Sequence, residues 1–324
     1  MIRGRLAPSP TGALHLGNAR TFLLAWLQVR SAGGRVVLRV EDLDGPRVKK
    51  WAFDQTLEDL EWLGLDWDEG PGKGGDYGPY VQGERLDRYG RILEILGEKG
   101  LVYPCVCTRK EVALAASAPQ GPDGEGPPYP GTCRGRFGSL REAREKTGRK
   151  GALRFLVEEE GPVDFRDLFL GPRSWDVARS SGDFVVAKGD GTPSYQLACV
   201  VDDHAMEITH VLRGDDLVPS AARQILLYRA LGWEPPLFAH TPLLVGPDGR
   251  RLAKRHGDTR VRRFREAGVG PEALVGWLAQ VSGLLPPGRE AMPADLVESF
   301  DLAKVPAGRV VVRLPLPFAP EIRA

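Results

Sequence analysis

Arg5-Leu6-Ala7-Pro8-Ser9-Pro10-Thr11-Gly12-Ala13-Leu14-His15-Leu16-Gly17-Asn18 is the stretch on which the reading of this chain turns. Before it, Ile2 to Ala7 form a strand-like run, and Pro8 to Gly12 supply a rigid, breaker-rich loop. After it, Asn18 to Arg30 carry Phe22, Leu23, Trp26 and Val29 at helical spacing, so the order is strand, loop, helix. Gly33-Gly34 break the chain again, and Val36 to Val40 read as a strand buried on both faces, which closes a βαβ unit and predicts a parallel sheet. The helix start offers unpaired backbone N–H groups and a positive dipole end to an anion. Gly17 lets a nucleotide approach the backbone, and His15 and Thr11 can hydrogen-bond phosphate oxygens. Taken as a bare His-x-Gly, the same residues would also suit an ordinary capped helix.

Working outward, Trp51 to Leu63 and Glu84 to Leu96 are amphipathic, and each stops at a Gly (Gly64, Gly97). From Cys105 to about Phe184 the pattern is broken, with a Gly/Pro-rich stretch from Ala118 to Gly131 and a candidate strand at Ala152 to Val157. Alternation returns at Tyr195 to Val201 and His210 to Arg213. A helix over Ser220 to Leu231, a strand at Leu243 to Val245, and helices over Pro271 to Leu284 and near Ala294 to Ala303 follow. The expected fold is α/β, a doubly wound, Rossmann-type parallel sheet split by a connective insertion, with a small helical C-terminal region. The expected boundaries are 1–104 for the first half of the sheet domain, 105–190 for the insertion, 191–258 for the second half and 259–324 for the helical end.

A chain of 324 residues can bury a sizeable core in two compact units, and 42% hydrophobic against 27% charged residues is a folding composition. Forty-four basic and 43 acidic side chains give +1, so any nucleic-acid role has to come from a local cluster. The start lacks a signal peptide's apolar core, and no apolar run is long enough for a membrane span, so a cytoplasmic protein with no membrane partner is expected; a monomer is the separately expected state. A nicotinamide-type redox enzyme is disfavoured, because no Gly-x-Gly-x-x-Gly follows the first strand.

Four cysteines are too few for a disulfide scaffold, and Cys105-x-Cys107 looks more like metal ligation than a staple. Glu41 and Asp42 sit at the carboxyl end of the Val36 to Val40 strand, the edge where open α/β sheets bind ligands, and a carboxylate there can hold an ammonium group; a solvated turn is the plain alternative. Arg213 can pair bidentately with a carboxylate, or form a structural ion pair with Asp215 or Asp216. His204 and His210 suit a core or helix-end role as well as a functional one. Cys199 falls within the Tyr195 to Val201 run and reads as a core strand residue.

The opening string resembles the first signature of class I aminoacyl-tRNA synthetases in its glutamyl-type form. His15-Leu16-Gly17-Asn18 stands where the class reads His-Ile-Gly-His, and Asn18 for the last His shifts phosphate contact toward His15. Arg39-Val40-Glu41-Asp42-x-Asp44, Pro193 to Ala198 and Ile208 to Asp216 resemble the same family. Arg250-Arg251-Leu252-Ala253-Lys254-Arg255-His256-Gly257 is similar to a degenerate Lys-Met-Ser-Lys-Ser, keeping only Lys254. The resemblance implies ATP-dependent activation of L-glutamate. His15, Gly17, Asn18 and Lys254 would act in catalysis, and Thr11, His15 and Lys254 would meet ATP carried with Mg2+. Arg5, Ala7, Ser9, Glu41, Tyr195 and Arg213 would hold glutamate, with Glu41 on the α-amino group and the two arginines selecting the acidic side chain.

Cys105, Cys107, Tyr129 and Cys133 resemble the Cys-x-Cys…Tyr-x-x-x-Cys zinc site of a truncated branch of this family, whose members glutamylate queuosine in tRNA(Asp). That likeness implies one structural Zn2+ per chain. Only 70 residues follow Lys254, where full glutamyl-tRNA synthetases carry helical anticodon-binding domains. Arg250 to Arg265 hold eight Lys/Arg and one Asp, enough for several phosphate contacts, although a solvated basic face would look the same. The expected partners are therefore ATP, L-glutamate and tRNA(Asp) carrying queuosine. A short glutamyl-tRNA synthetase charging the tRNA 3′ end, or a non-catalytic tRNA-binding paralogue, are the alternatives.

Overall fold

A computed structural model describes residues 1–43, 45–115, 127–158, 161–252 and 256–319 of the chain. β1 (Arg3–Leu6), α1 (Leu16–Arg30) and β2 (Arg35–Leu38) make the expected βαβ unit, with the strands parallel and Arg5 opposite Val37. The chain continues through α2 (Lys50–Trp62) and α3 (Leu86–Glu98) into β3 (Val102–Cys105). The inserted region follows: α4 (Arg109–Ala115), α5 (Leu140–Thr147), β4 (Ala152–Phe155), the antiparallel pair β5 (Val163–Asp167) and β6 (Gly171–Trp175), α6 (Val177–Ser180) and β7 (Val185–Lys188). Its core sheet is antiparallel, in the order β3-β4-β7.

The second half returns with α7 (Tyr195–Ala205), β8 (His210–Gly214), α8 (Val218–Leu231) and β9 (Leu237–Thr241). The main sheet is parallel, in the order β2-β1-β8-β9. Strand periodicity decides its layering: Val36, Leu38, Leu212 and Ala239 enter one apolar cluster with α1, and Val37, Val211 and Phe238 enter another with α3, α7 and α8. The sheet is thus covered on both faces, as parallel sheets require. The order reverses between β1 and β8, and that switch point opens the crevice at the strands' carboxyl ends. Close packing of α1 on β1 depends on Gly4, where a Cβ would stand 2.3 Å from Val29 Cγ2.

Four expectations are corrected. Tyr195 to Val201 is helical: Leu197 through Asp203 are all buried, and a short apolar run without a polar face gives no period to separate strand from helix. Cys199 is therefore a buried helix residue. Leu244–Val245 is β10, outside the main sheet, and pairs with β11 (Val310–Val311) of the tail. The fourth sheet strand, β9, was not anticipated, since its five residues lie between Pro235-Pro236 and Pro242 and include a polar His240. After α9 (Val261–Glu266) and α10 (Pro271–Val281), the expected helix near Ala294 to Ala303 is only α11 (Pro293–Leu296) and a separate turn at Leu302–Lys304, where the Asp301 side chain accepts from the Ala303 N–H. Val312, Leu316 and Ala319 of the tail are buried in the α1 cluster.

Candidate active site

A cleft of about 1150 Å³ lies over the switch point, between the carboxyl ends of β1 and β8 and the N-terminus of α1. Arg5, Ala7, Ser9, Thr11, His15, Gly17, Asn18, Glu41, Tyr195 and Arg213 all line it. The expected glutamate and ATP positions, drawn from four separated parts of the sequence, therefore come to one place. Lys254, with Ala253 and Arg255, falls outside the described residues. On either side of it, Arg251, Leu252, Gly257, Asp258 and Arg260 line the cleft. His204 stacks on Trp233 at 3.8 Å between ring centroids, and His210 Nδ1 lies 2.9 Å from Thr209 Oγ1; neither lines the cleft.

One end of the cleft is built by the N-terminus of α1. His15 is its N-cap in an extended conformation, and its side chain makes no capping hydrogen bond. His15 Nδ1 lies 3.1 Å from Thr259 Oγ1, while the Leu16 N–H donates to the Thr259 carbonyl and the Val261 N–H to the Leu14 carbonyl. The segment that follows Gly257 is thereby laced to the helix start. A Cβ built on Gly17 would meet nothing within 4 Å, so this first-turn backbone faces open cleft where an anion can approach closely.

The end of the cleft lined by Arg5, Glu41, Tyr195 and Arg213 backs onto a buried charge network. Arg39, fully buried, donates from Nη1 to Asp203 Oδ1 at 2.6 Å and from Nη2 to Glu41 Oε1 at 3.1 Å, with Asp202 Oδ2 3.7 Å from Nε. Arg5 Nε lies 3.4 Å from the same Asp203 oxygen but has no hydrogen-bond partner there. Burial pushes the Asp203 carboxyl up, but Arg39 and Arg5 outweigh it and hold the group below the ordinary carboxylate range. Helical spacing in α7 explains the cluster: Tyr195, Cys199 and Asp203 fall on one face, four residues apart. Cys199 Sγ reaches within 3.4 Å of Glu41 Oε1, and the Tyr195 hydroxyl accepts from Arg213 Nη1 at 3.4 Å.

Arg213 does not pair with Asp215 or Asp216; Asp216 instead binds Arg251 at 3.1 Å. Its Nε donates to His240 Nε2 at 3.0 Å and its Nη2 to the Leu217 carbonyl at 3.3 Å. Burial lowers the His240 pKa to about 4, which keeps the ring neutral. The cleft therefore presents Arg5 and Arg213 facing Glu41, an arrangement suited to a zwitterion that carries one additional negative charge. Sequence reasoning missed His240, Asp203 and Cys199, which are buried behind the residues that line the cleft; the polar positions Asp202-Asp203 inside an apolar run were the available signal for two of the network's members.

The cysteines form a second centre within the insertion. The sulfur atoms of Cys105, Cys107 and Cys133 lie within 4.8 Å of one another. The Tyr129 hydroxyl stands 3.3 Å from Cys105 Sγ and 3.8 Å from Cys107 Sγ, and it accepts from the Cys133 N–H at 2.8 Å. Cys107 Sγ is 3.5 Å from Cys133 Sγ, close to the ligand–ligand edge of a tetrahedral thiolate site. Three soft donors and one phenolic oxygen at one point fit a structural metal. Burial first, then the Cys133 contact, raise the Cys107 thiol to about 11, so a metal would have to displace its proton.

A cleft at the switch point, with the first-signature loop on a helix start and two arginines and a carboxylate beside it, is the arrangement of an amino-acid-activating enzyme of the synthetase class. Residues 1–305 match the family described as "tRNA synthetases class I (E and Q), catalytic domain", and the chain belongs to that family. It is 52% identical over 315 residues to the glutamyl-Q tRNA(Asp) synthetase of Symbiobacterium thermophilum, covering 97% of this chain and 96% of that one. The enzyme of the same name from Nitratidesulfovibrio vulgaris is 47% identical, at 96% and 95% coverage. A glutamate tRNA ligase crystal structure from Elizabethkingia meningosepticum, in complex with its amino acid, superposes with a TM-score of 0.80 at 30% identity, covering 99% of this chain and 67% of that one. No helix among the described residues is long and apolar enough to cross a membrane.

Proposed function

We propose that this enzyme activates L-glutamate with ATP and transfers the glutamyl group to queuosine in the anticodon loop of tRNA(Asp). The observation that carries the reading is the convergence of Arg5, Arg213 and Glu41 beside the N-terminus of α1 in one cleft. Glu41 holds the α-ammonium group, the two arginines hold the side-chain carboxylate, and Ala7 and Ser9 shape the wall. Thr11, His15, Gly17 and Asn18 receive the ATP phosphates, and Lys254 is assigned the charge that develops on the leaving pyrophosphate.

The α-carboxylate oxygen of glutamate attacks the α-phosphorus; the carboxylate O–P bond forms as the bond to the β-phosphate bridging oxygen breaks, releasing pyrophosphate. No protein nucleophile enters. Positioning two anions in line is the main task, and proximity alone can supply about 7 to 11 kcal/mol. Magnesium carried with ATP would spread the phosphate charge. In the second step a hydroxyl of queuosine attacks the activated carbonyl carbon and AMP departs. Cys105, Cys107, Tyr129 and Cys133 are assigned one structural zinc ion, which would tie the start of the insertion to its middle.

Charging of a tRNA 3′ end is less well supported, because the enzymes to which the chain is 52% and 47% identical along nearly their whole length are both glutamyl-Q tRNA(Asp) synthetases. Mass analysis of tRNA(Asp) nucleosides after incubation with glutamate and ATP tests the acceptor: glutamyl-queuosine is expected, and a glutamylated 3′ adenosine with unmodified queuosine would overturn it.

A further inference from the structure

Arg213 and His240 are register partners on the neighbouring parallel strands β8 and β9, so their side chains leave the sheet on the same face, toward α7 and α8. Behind His240 stands Asp167, the last residue of β5 in the inserted hairpin. Its Oδ2 lies 2.6 Å from His240 Nδ1, and both side chains are fully buried. The Leu168 N–H donates to the Phe238 carbonyl at 2.8 Å, which fixes the hairpin end against β9. None of the resemblance to the family rested on Asp167 or His240.

We infer that Asp167 and His240 are positioning residues for glutamate selection, forming a relay that aims Arg213 while leaving its charge for the substrate. Asp167 accepts at Nδ1, so that nitrogen carries the proton, and the Nε2 lone pair faces the Arg213 Nε–H at 3.0 Å. A carboxylate in direct contact with Arg213 would neutralise it and compete with the substrate's side chain. A neutral imidazole orients the guanidinium without doing so. This inference rests on the proposed role of Arg213 as the side-chain carboxylate receptor.

Asp167→Asn tests it, because the structure dictates how the amide must sit. Asp167 Oδ1 accepts from three backbone N–H groups, those of Phe169 at 2.9 Å, Leu170 at 2.8 Å and His240 at 3.2 Å. The asparagine oxygen is therefore held at that position, and its NH2 group faces His240 Nδ1. The ring must then carry its proton on Nε2, donor against the Arg213 donor. In pyrophosphate exchange by the full chain, Asp167→Asn should raise the KM for glutamate roughly ten- to hundredfold, the cost of a hydrogen bond to a charged group, with the KM for ATP unchanged. Nitrogen-15 NMR should show the His240 proton moving from Nδ1 to Nε2.

His240→Gln, whose amide oxygen can take the place of Nε2, should keep the glutamate KM within a few-fold, while His240→Leu should raise it as Asp167→Asn does. A tautomer exchange with unchanged glutamate KM, or equal rises in both KM values, would overturn the relay. If Asp167→Asn does not fold, equal glutamate KM values for the two His240 variants would overturn it instead. Arg213→Leu separates the two ideas: full activity there would overturn the role of Arg213 itself, whereas an inactive Arg213→Leu beside an unaffected Asp167→Asn overturns the relay alone.

Discussion

Arg39 Nη1 donates to Asp203 Oδ1 at 2.6 Å, and this contact takes up most of the carboxylate that Arg5, 3.4 Å away, would otherwise claim. The consequence is a division of labour in which Arg39 holds the buried acids and Arg5 stays available to a ligand. Replacing Arg39 with Leu would leave Asp203, Asp202 and Glu41 without their shared cation. Such removals cost about 3 to 5 kcal/mol. Urea unfolding should show a loss of that order, far above the effect of breaking an exposed pair such as Arg262–Glu266.

Gly17 separates binding from folding. It lies in the first turn of α1, and alanine there should leave the helix as stable or slightly better, by about 0.5 to 1 kcal/mol. The new methyl group would nonetheless stand in the open cleft, where the phosphates are proposed to sit. Gly17→Ala should raise the KM for ATP several-fold while Tm holds or climbs. A lowered Tm with unchanged ATP dependence would place the phosphates elsewhere.

Asp59 gives the pH behaviour a definite sign. It is 1% exposed, and burial raises its pKa to about 6, with Gln55 and Arg265 offsetting only part of the effect. The folded state therefore holds a proton that the unfolded chain releases near 3.8, so the Asp59 contribution weakens as pH rises from about 4 to 6 and is level above that. Asp59→Asn should be more stable than the parent by about 1 to 3 kcal/mol at pH 7, with the difference vanishing near pH 4. Denaturant titrations at three pH values measure this.

The cysteine centre makes its own demand. Elemental analysis of the purified enzyme should find one zinc per chain, lost on Cys105→Ser. Tyr129→Phe should surrender its metal to a chelator sooner than the parent, since the phenolic oxygen is the proposed fourth ligand. Full retention by Tyr129→Phe would remove Tyr129 from the ligand set.

Where the sequence was legible, local chemistry was self-sufficient. The Pro-rich loop, the helix start at His15 and the buried run Val36 to Val40 each declare their structure within a few residues, and together they fix the sheet edge that holds the cleft. The Cys105-x-Cys107 pair was legible because Cys-x-Cys has few other uses, while Tyr129 and Cys133 joined it through the resemblance to the family. Two kinds of feature stayed hidden. Tyr195 to Asp203 is buried all round, so its helical period does not show as a polar face. The Asp167–His240–Arg213 line joins three distant strands, and nothing in the separate segments announces that register until the strands are paired.

The cleft is proposed to select an acidic amino acid and couple it to ATP. Exchange of labelled pyrophosphate into ATP, with pure protein, magnesium and no tRNA, tests it most directly. Exchange is expected with glutamate, with a decrease of at least about a hundredfold with glutamine and a comparable loss with glutamate in Arg213→Leu, because each leaves a buried charge unpaired. No glutamate-dependent exchange, or equal exchange with glutamine, would contradict it.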